Sequence, residues 1–175
     1  MSENQMDRET QMDTVIDLVK KARTAMLTTR TREGRMVSRP LAVQDVEFDG
    51  DLWFFSNDPS HKTEEIAADP QVNASMQSGG GFLSISGTAE VVHDRSRFDE
   101  YWSPMVEAWF PEGKDAPDLA LLVVHGETAE FWEADKPKLV MAFEIARAAV
   151  TRKGRPDVGK NETVDLRDGE TGSSS

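Results

Sequence analysis

The sequence contains no cysteine among its 175 residues. Disulfide bonds, thiolate catalysis, zinc sites with sulfur ligands and Cys-ligated iron–sulfur clusters are therefore excluded. No stretch approaches the roughly 20 apolar residues that a membrane-spanning helix needs. The polar N-terminal segment MSENQMDRET lacks the apolar core of a secretory signal. These absences predict a cytoplasmic protein that does not act in a membrane.

Positive charge is scarce: 20 basic residues face 32 acidic ones, for a formal net charge of -12. That excess opposes binding to nucleic acid, whose affinity comes largely from neutralised phosphates, and to anionic membrane surfaces. The three histidines, His61, His93 and His125, lack the spacing of a metal site, so no metal is expected. A local basic site remains compatible with the composition, because nearby charges set a local field.

The hydrophobic pattern predicts a mainly β protein with peripheral helices. Apolar residues at helical spacing predict a helix over residues 9–23, and a change to period two marks the first strand after it. Pro40 should place an edge or a bulge in the second strand. Strands are predicted over residues 24–31, 36–48, 51–56, 72–78, 82–93 and 119–133, with hairpin turns at 32–35, Asp49-Gly50 and Gly79-Gly80-Gly81.

Further helices complete the predicted order: Ser60 to Asp69, stopped by Pro70, one or two short helices over residues 94–110, and residues 138–150. Six or seven antiparallel strands of this kind tend to close into a barrel, which removes exposed edges. The predicted organisation is an N-terminal arm over residues 1–8, one domain over 9–150 and a polar tail over 151–175 whose end is disordered.

The start of the Ser60 helix carries an unexpected pair of cations. Acidic residues suit the positive end of a helix dipole, yet His61 and Lys62 stand there. A bound phosphate would reverse that sign, with Ser56 and Ser60 adding hydroxyl donors and Arg39 a guanidinium. In the alternative interpretation the helix start is solvated and Ser60 is only its N-cap. The residues alone leave both open.

Aromatic residues near the predicted short helices raise a similar choice. Trp102 and Trp109 cluster with Phe110 beside prolines. Exposed aromatics of this kind can cover a planar ligand or bury a subunit contact. Ordinary core packing explains each of them equally well.

Five segments in order resemble the general stress protein branch of the pyridoxamine 5′-phosphate oxidase-like proteins, which are flavin-binding split β-barrels. They are GRMVSRPLAV, DLWFFSNDPSHKTEEIAADPQVN, FLSISGTAEVVHDRSR, YWSPMVEAWFPEG and AEFWE. The resemblance covers about residues 10–150. It implies a six- or seven-stranded antiparallel split barrel and a homodimer with flavin at the subunit interface. FMN is the usual ligand, and FAD or a deazaflavin occurs in relatives.

The resemblance also implies roles for single residues. Arg39 matches an arginine near the flavin phosphate, and His61-Lys62 matches a basic pair whose lysine meets it. The backbone from Leu41 to Val43 matches the segment along the isoalloxazine edge. The candidate cofactor-binding residues are Arg39, Pro40, Leu41, Val43, Phe55, Ser56, Ser60, His61, Lys62, Trp102 and Trp109.

Departures from the oxidase pattern bear on the reaction. His61 replaces an arginine, Val43 a lysine and Phe82 a flavin-contacting glutamine, and the oxidase's C-terminal Arg-x-His-like element is not found. These differences argue against pyridoxamine phosphate oxidation, and no catalytic acid or base is identified. We expect an oxidoreductase that passes electrons from a reduced nicotinamide through FMN to a small acceptor. A non-catalytic flavin-binding or storage protein, and a barrel that binds another anionic ligand such as haem, remain alternatives.

Overall fold

A computed structural model describes residues 3–44, 46–78, 80–133 and 161–167. Its helices are Glu3–Lys21 (α1), His61–Ala68 (α2), Phe98–Tyr101 (α3) and Pro104–Trp109 (α4), with a 3₁₀ turn at Arg95–Arg97. Its strands are Thr24–Arg30 (β1), Met36–Ala42 (β2), Asp51–Asn57 (β3), Gln71–Ser78 (β4), Gly81–Val92 (β5), Leu119–Glu133 (β6) and Asn161–Asp165 (β7). Within these ranges no helix combines the length and apolar character needed to cross a membrane.

All seven strands join one antiparallel sheet in the order β2-β1-β4-β5-β6-β3, with β7 pairing β6. The predicted mainly-β, antiparallel class is therefore confirmed. β2 and β3 are the two ends of this path, and no ladder joins them within the described residues. Each therefore presents one edge whose backbone groups are free of sheet pairing. This split between β2 and β3 positions the candidate site.

The main core fills the space between the inward faces of the strands and α1. Leu27, Phe54 and Ile85 are fully buried, and Val15 of α1 packs against the same cluster. A second, smaller cluster joins Phe55 and its neighbours on β6 to α3 and α4. The second cluster anchors the short helices beside the split, because burial of their apolar side chains is the main favourable term available to such short segments.

Several local predictions are confirmed. The β1–β2 and β4–β5 hairpins form, and Gly80 has the positive φ of +145° that its turn requires. Pro40 lies on β2, a strand at the end of the sheet path, as its missing N–H favours. Ser60 is the N-cap of α2, with a reciprocal capping box to Thr63.

The predicted hairpin at Asp49-Gly50 is wrong. β2 ends at Ala42, and β3 pairs with the distant β6 rather than with β2. The Asp49-Gly50 turn does form: the Asp49 carboxylate accepts the Asp51 N–H at 3.1 Å. The Gly50 carbonyl, however, accepts the Gly126 N–H at 2.9 Å. A local turn signal predicts that the chain bends, but it does not predict which strand the next segment pairs with. Pairing with β6 places β3 beside the apolar centre of the sheet.

The ends of the chain also differ from prediction. α1 begins at Glu3, so most of the predicted arm is helical; its polar residues form helices well but carry no hydrophobic periodicity. β7 lies inside the predicted polar tail and pairs with β6. Its single buried apolar residue, Val164, is too little to produce an alternating pattern. The predicted helix over residues 138–150 lies outside the described residues.

Candidate functional site

A cavity of about 240 Å³ lies at the split, where β2 and β3 face each other beside α4. The segments that wall it lie far apart in sequence and meet only in the fold. Six of the candidate residues line it: Pro40, Leu41, Phe55, Ser56, Lys62 and Trp109. The structure therefore gathers the predicted strand positions and the lysine at the start of α2 around one space.

Lys62 is a half-buried cation at the wall of this cavity. Burial, and then the neighbouring positive charge of Arg39, lower the pKa of its ammonium group. Its one hydrogen bond within the described residues is a long one of 3.4 Å to the Ser60 hydroxyl, and none of their carboxylates pairs with it. Burial and the Arg39 charge both make the ammonium form of Lys62 less stable, relative to its neutral form, than that of a lysine in water.

Arg39 points away from the cavity wall. Successive residues of a strand face opposite sides, so Arg39 lies on the other face from Pro40. Its Nη1 donates to Glu65 at 3.0 Å and to the Thr29 hydroxyl at 2.7 Å. Thr29 in turn donates to the same Glu65 oxygen at 2.6 Å. The Arg39 and Glu65 side chains are only 24% and 12% exposed. Arg39 therefore lies near enough to Lys62 to influence its pKa, but the guanidinium of Arg39 is paired with the Glu65 carboxylate.

The neighbours of Glu65 favour the ionised form of its carboxylate. Burial opposes its charge, but the hydrogen bonds from Thr29 and Arg39, together with the charges of Arg39 and His61, outweigh burial and lower its pKa. Sequence analysis missed this residue. The spacing of four between His61 and Glu65 on a helix was its only signal.

The remaining polar candidates lie at or near the cavity. Ser56 is buried, and its hydroxyl donates to the Asn57 carbonyl at 2.9 Å. Ser60 caps α2, and its hydroxyl oxygen faces the Lys62 ammonium. His61 is exposed and does not line the cavity. Hydroxyl donors and the ammonium group therefore converge on the α2 end of the site.

The aromatic candidates separate into two environments. Trp102 stands edge to face against Phe55, with ring centroids 5.4 Å apart, and packs with the second core cluster. Trp109 is 71% exposed at the cavity rim. Val43 lines a neighbouring cavity instead. Of the two tryptophans, only Trp109 therefore lines the cavity.

Sequence analysis missed five residues of the cavity wall: Thr24, Gln44, Asn57, Met105 and Val106. It named Ala42 within the Leu41–Val43 segment and Phe110 beside the tryptophans, and both also line the cavity. The missed residues are apolar or uncharged, and they have no motif. Gln44 is a buried amide two residues after the end of β2, a property that no sequence pattern shows.

This arrangement is chemically suited to an amphipathic anion. The α2 end offers an ammonium and hydroxyls, while aromatic and aliphatic side chains form the rest of the wall. The edges of β2 and β3 add backbone donors and acceptors that are free of sheet pairing. Among the described residues no group of three acidic or histidine side chains is arranged to hold a metal ion.

The chain is similar to a known protein family over most of its length. The family model described as pyridoxamine 5′-phosphate oxidase like matches residues 10–157. Protein bli-3 of Neurospora crassa is 30% identical over 141 residues, which cover 74% of this chain and 68% of that protein.

Two solved structures are similar in fold as well as sequence. A general stress protein 26 from Jannaschia sp. CCS1 is 27% identical with a TM-score of 0.67, covering 90% of this chain and 99% of its own. The general stress FMN/FAD binding protein of Xanthomonas citri is 28% identical with a TM-score of 0.64, covering 74% and 92%. The split-barrel fold and the general stress resemblance are confirmed, and the chain belongs to the pyridoxamine 5′-phosphate oxidase like family.

Proposed function

We propose that this protein binds FMN as a homodimer and passes electrons from a reduced nicotinamide to a small acceptor. The observation that carries the ligand assignment is Lys62, a half-buried ammonium group at the wall of the cavity that has no counter-ion among the described residues. The similar general stress protein of Xanthomonas citri is an FMN/FAD binding protein, which supports a flavin over other anions.

The phosphate of FMN fits the α2 end of the cavity. Folding brings Lys62 and Arg39 close enough for the Arg39 charge to depress the Lys62 pKa, which costs free energy while both are charged. Glu65 offsets the charge of Arg39 but makes no ion pair with Lys62. A phosphate at this position would offset the second cation. Its oxygens could accept from the Ser60 hydroxyl, and from the Ser56 hydroxyl if that group turned away from the Asn57 carbonyl.

The ring of the flavin fits the other end. The cavity continues along Leu41 and Ala42 to Gln44, with Phe110 and Trp109 on the α4 side. β2 rises about 3.3 Å per residue, so Ala42 lies about 10 Å from Arg39 along the strand. Trp109 can cover a planar ring from the rim, since flat aromatic contacts bury large areas.

A second copy of the chain would complete the site. The cavity of about 240 Å³ is smaller than the roughly 300–1,000 Å³ typical of sites that enclose a ligand of this size. An open depression with exposed Phe82 and Met26 lies on the adjoining sheet face, and Thr24 lines both spaces. Burying this apolar surface against a partner would close the flavin site from outside.

The protein's part in the reaction is placement. Bound FMN supplies hydride and electron transfer chemistry of its own. Lys62 and the serines would hold the phosphate, while the β2 edge and Trp109 would orient and shield the ring. None of the three histidines lines the cavity, which favours flavin over haem. Lys62 is the sole ionisable side chain on the described wall, so proton delivery would come from substrate or water.

The ligand assignment is tested by titrating flavin-free protein with FMN and with riboflavin. Lys62→Ala should weaken FMN about ten- to hundredfold, the effect of a hydrogen bond to a charged group, and leave riboflavin unchanged because it lacks the phosphate. Arg39→Ala should weaken FMN less, since Arg39 is bound to Glu65. Lys114→Ala, a lysine paired with Asp99, is the matched control. Equal FMN affinity in wild type and Lys62→Ala would refute the site.

The reaction is tested by mixing FMN-loaded protein with NADH or NADPH without oxygen. A reductase should bleach the flavin absorbance near 450 nm by about one equivalent per site, since hydride transfer reduces the ring by two electrons. Failure of both donors to bleach a fully loaded protein would instead support the non-catalytic flavin-binding alternative.

A further inference from the structure

A second cavity adjoins the ring end of the proposed flavin site. Its volume is about 260 Å³, and it lies between the C-terminal end of α1, the chain after β2 and the start of α4. It shares four wall residues with the flavin cavity: Ala42, Gln44, Met105 and Val106. A molecule held there would lie next to whatever occupies the Gln44 end of the first cavity.

The chain between the two cavities is held in place by backbone and side-chain hydrogen bonds. The Val43 N–H donates to the Arg23 carbonyl at 3.2 Å, which ties this segment to the residue after α1. The buried Gln44 amide donates to the Ala42 carbonyl at 3.1 Å. The partition is therefore a defined structural element and not a loose loop.

The wall of the second cavity combines buried apolar side chains with polar surface and two basic side chains. Val19, Ala22 and Val106 are the buried apolar side chains. Lys20 and Arg23 line it, are exposed, and make no ion pair within the described part of the chain. Lysine at the end of a helix complements its dipole, but Arg23 lies beyond the end of α1, where that benefit fades.

The charge on this wall is opposite to that of the molecule. The chain carries a net charge of -12, whereas this cavity is lined by two cations that make no ion pair within the described residues and by no acidic side chain. Buried apolar side chains together with two cations match a ligand with an apolar body and one anionic end. The space is large enough for a single ring or a short chain.

We propose that this second cavity binds a small carboxylic acid beside the flavin ring as the second substrate. The carboxylate would lie between Lys20 and Arg23, and the apolar body would rest on Val19, Ala22 and Val106. The assignment of the acid as a substrate rests on the proposed flavin function, whereas the acid site itself rests only on the cavity and its two cations.

The test uses benzoate as the acidic probe and benzamide as its neutral counterpart, titrated by NMR into the full-length, FMN-loaded protein. Benzoate should bind, and the double variant Lys20→Gln/Arg23→Gln should weaken it roughly fivefold, as two exposed ion pairs allow. Benzamide affinity should stay unchanged. Lys21→Gln is the matched control, because Lys21 is paired with Asp17 and does not line the cavity.

A loaded protein that binds no benzoate, or a double variant that binds it as well as wild type, would overturn the acid site while leaving the flavin proposal intact. If the chain takes up no FMN, the same titration is done on Lys62→Ala protein, which removes the phosphate-site lysine as a competing position. Weaker benzoate binding on adding the double change would then support the acid site although the flavin function had failed.

Discussion

At the scale of single residues, the site depends on two neighbouring cations with different partners. Arg39 has a carboxylate of its own, whereas Lys62 has none among the described residues. The Glu65 carboxylate therefore offsets the positive charge of Arg39 and so reduces the electrostatic potential that Arg39 produces in the cavity. It also accepts from the buried Thr29 hydroxyl, so it links β1, β2 and α2 at one point.

Glu65→Gln should lower the free energy of unfolding by about 1–3 kcal/mol, because it removes a charged partner from two part-buried donors. The folded-state pKa of Glu65 is lowered. Its stabilising effect is therefore present above the unfolded pKa of about 4.3 and disappears as pH falls through the lower folded pKa. Urea unfolding at several pH values measures this. The free energy of unfolding of Glu65→Gln should decrease less than that of wild type as the pH falls. Glu64→Gln, which changes an exposed neighbour, should show the same decrease as wild type. Identical pH profiles for wild type and Glu65→Gln would contradict the prediction.

At the scale of elements, three strands are joined where β3, β5 and β6 come together. His125 of β6 contacts Asp51 of β3 at 3.0 Å through Nδ1 and Glu90 of β5 at 3.2 Å through Nε2. Arg167, which follows β7, lies 3.6 Å from the same Asp51. The ladder shifts register nearby at Gly87, where a Cβ would lie 1.9 Å from the His125 carbonyl oxygen. Glycine is required there because the two backbones approach too closely for any side chain.

This junction should make stability depend on pH on its alkaline side. Burial opposes the charged imidazolium, but the hydrogen bonds to Glu90 and Asp51 outweigh burial and raise the pKa of His125. The stabilisation is thus fully present below the unfolded pKa of about 6.5 and is lost as pH rises through the higher folded pKa. In urea unfolding, the free energy of unfolding of His125→Gln should decrease less than that of wild type as the pH rises through this range. His61→Gln changes an exposed histidine outside this junction and should leave the loss in place. An unaltered alkaline slope in His125→Gln would exclude His125 as its source.

At the scale of the whole molecule, the outer sheet face decides whether one chain makes a complete site. Phe82 is 51% exposed and borders the open depression that shares Thr24 with the flavin cavity. Exposed apolar surface of this kind marks association sites. If the proposed dimer completes the site, a change that prevents dimer formation should also weaken flavin binding. In a site formed by one chain, the two properties would vary independently.

Phe82→Glu should convert a dimer into a monomer in light scattering and weaken FMN in the same preparation, because it places a charge in the apolar contact. Gln71→Glu adds the same charge at an exposed position of β4, about 20 Å along the strand from the residue that pairs Phe82. It should keep both properties. A wild-type monomer, or a Phe82→Glu dimer with full FMN affinity, would refute the interfacial site.

The sequence by itself determined the local features of this protein. Period-two burial, glycine-rich turns, the Ser60 cap and the placement of Pro40 on an edge strand follow from short-range chemistry, and the structure has them all. The sequence also showed that His61 and Lys62 are unusual at the start of α2, because the N-terminus of a helix favours negative charge.

Only the tertiary structure decided which strands meet. The pairing of β3 with β6, the return of β7 and the split between β2 and β3 join segments that are far apart in sequence. Such pairings are chosen by total apolar burial and sheet geometry, and a turn signal carries no information about either. For that reason the sequence indicated Lys62 and Arg39 together, while the fold placed one at the cavity wall and gave the other to Glu65.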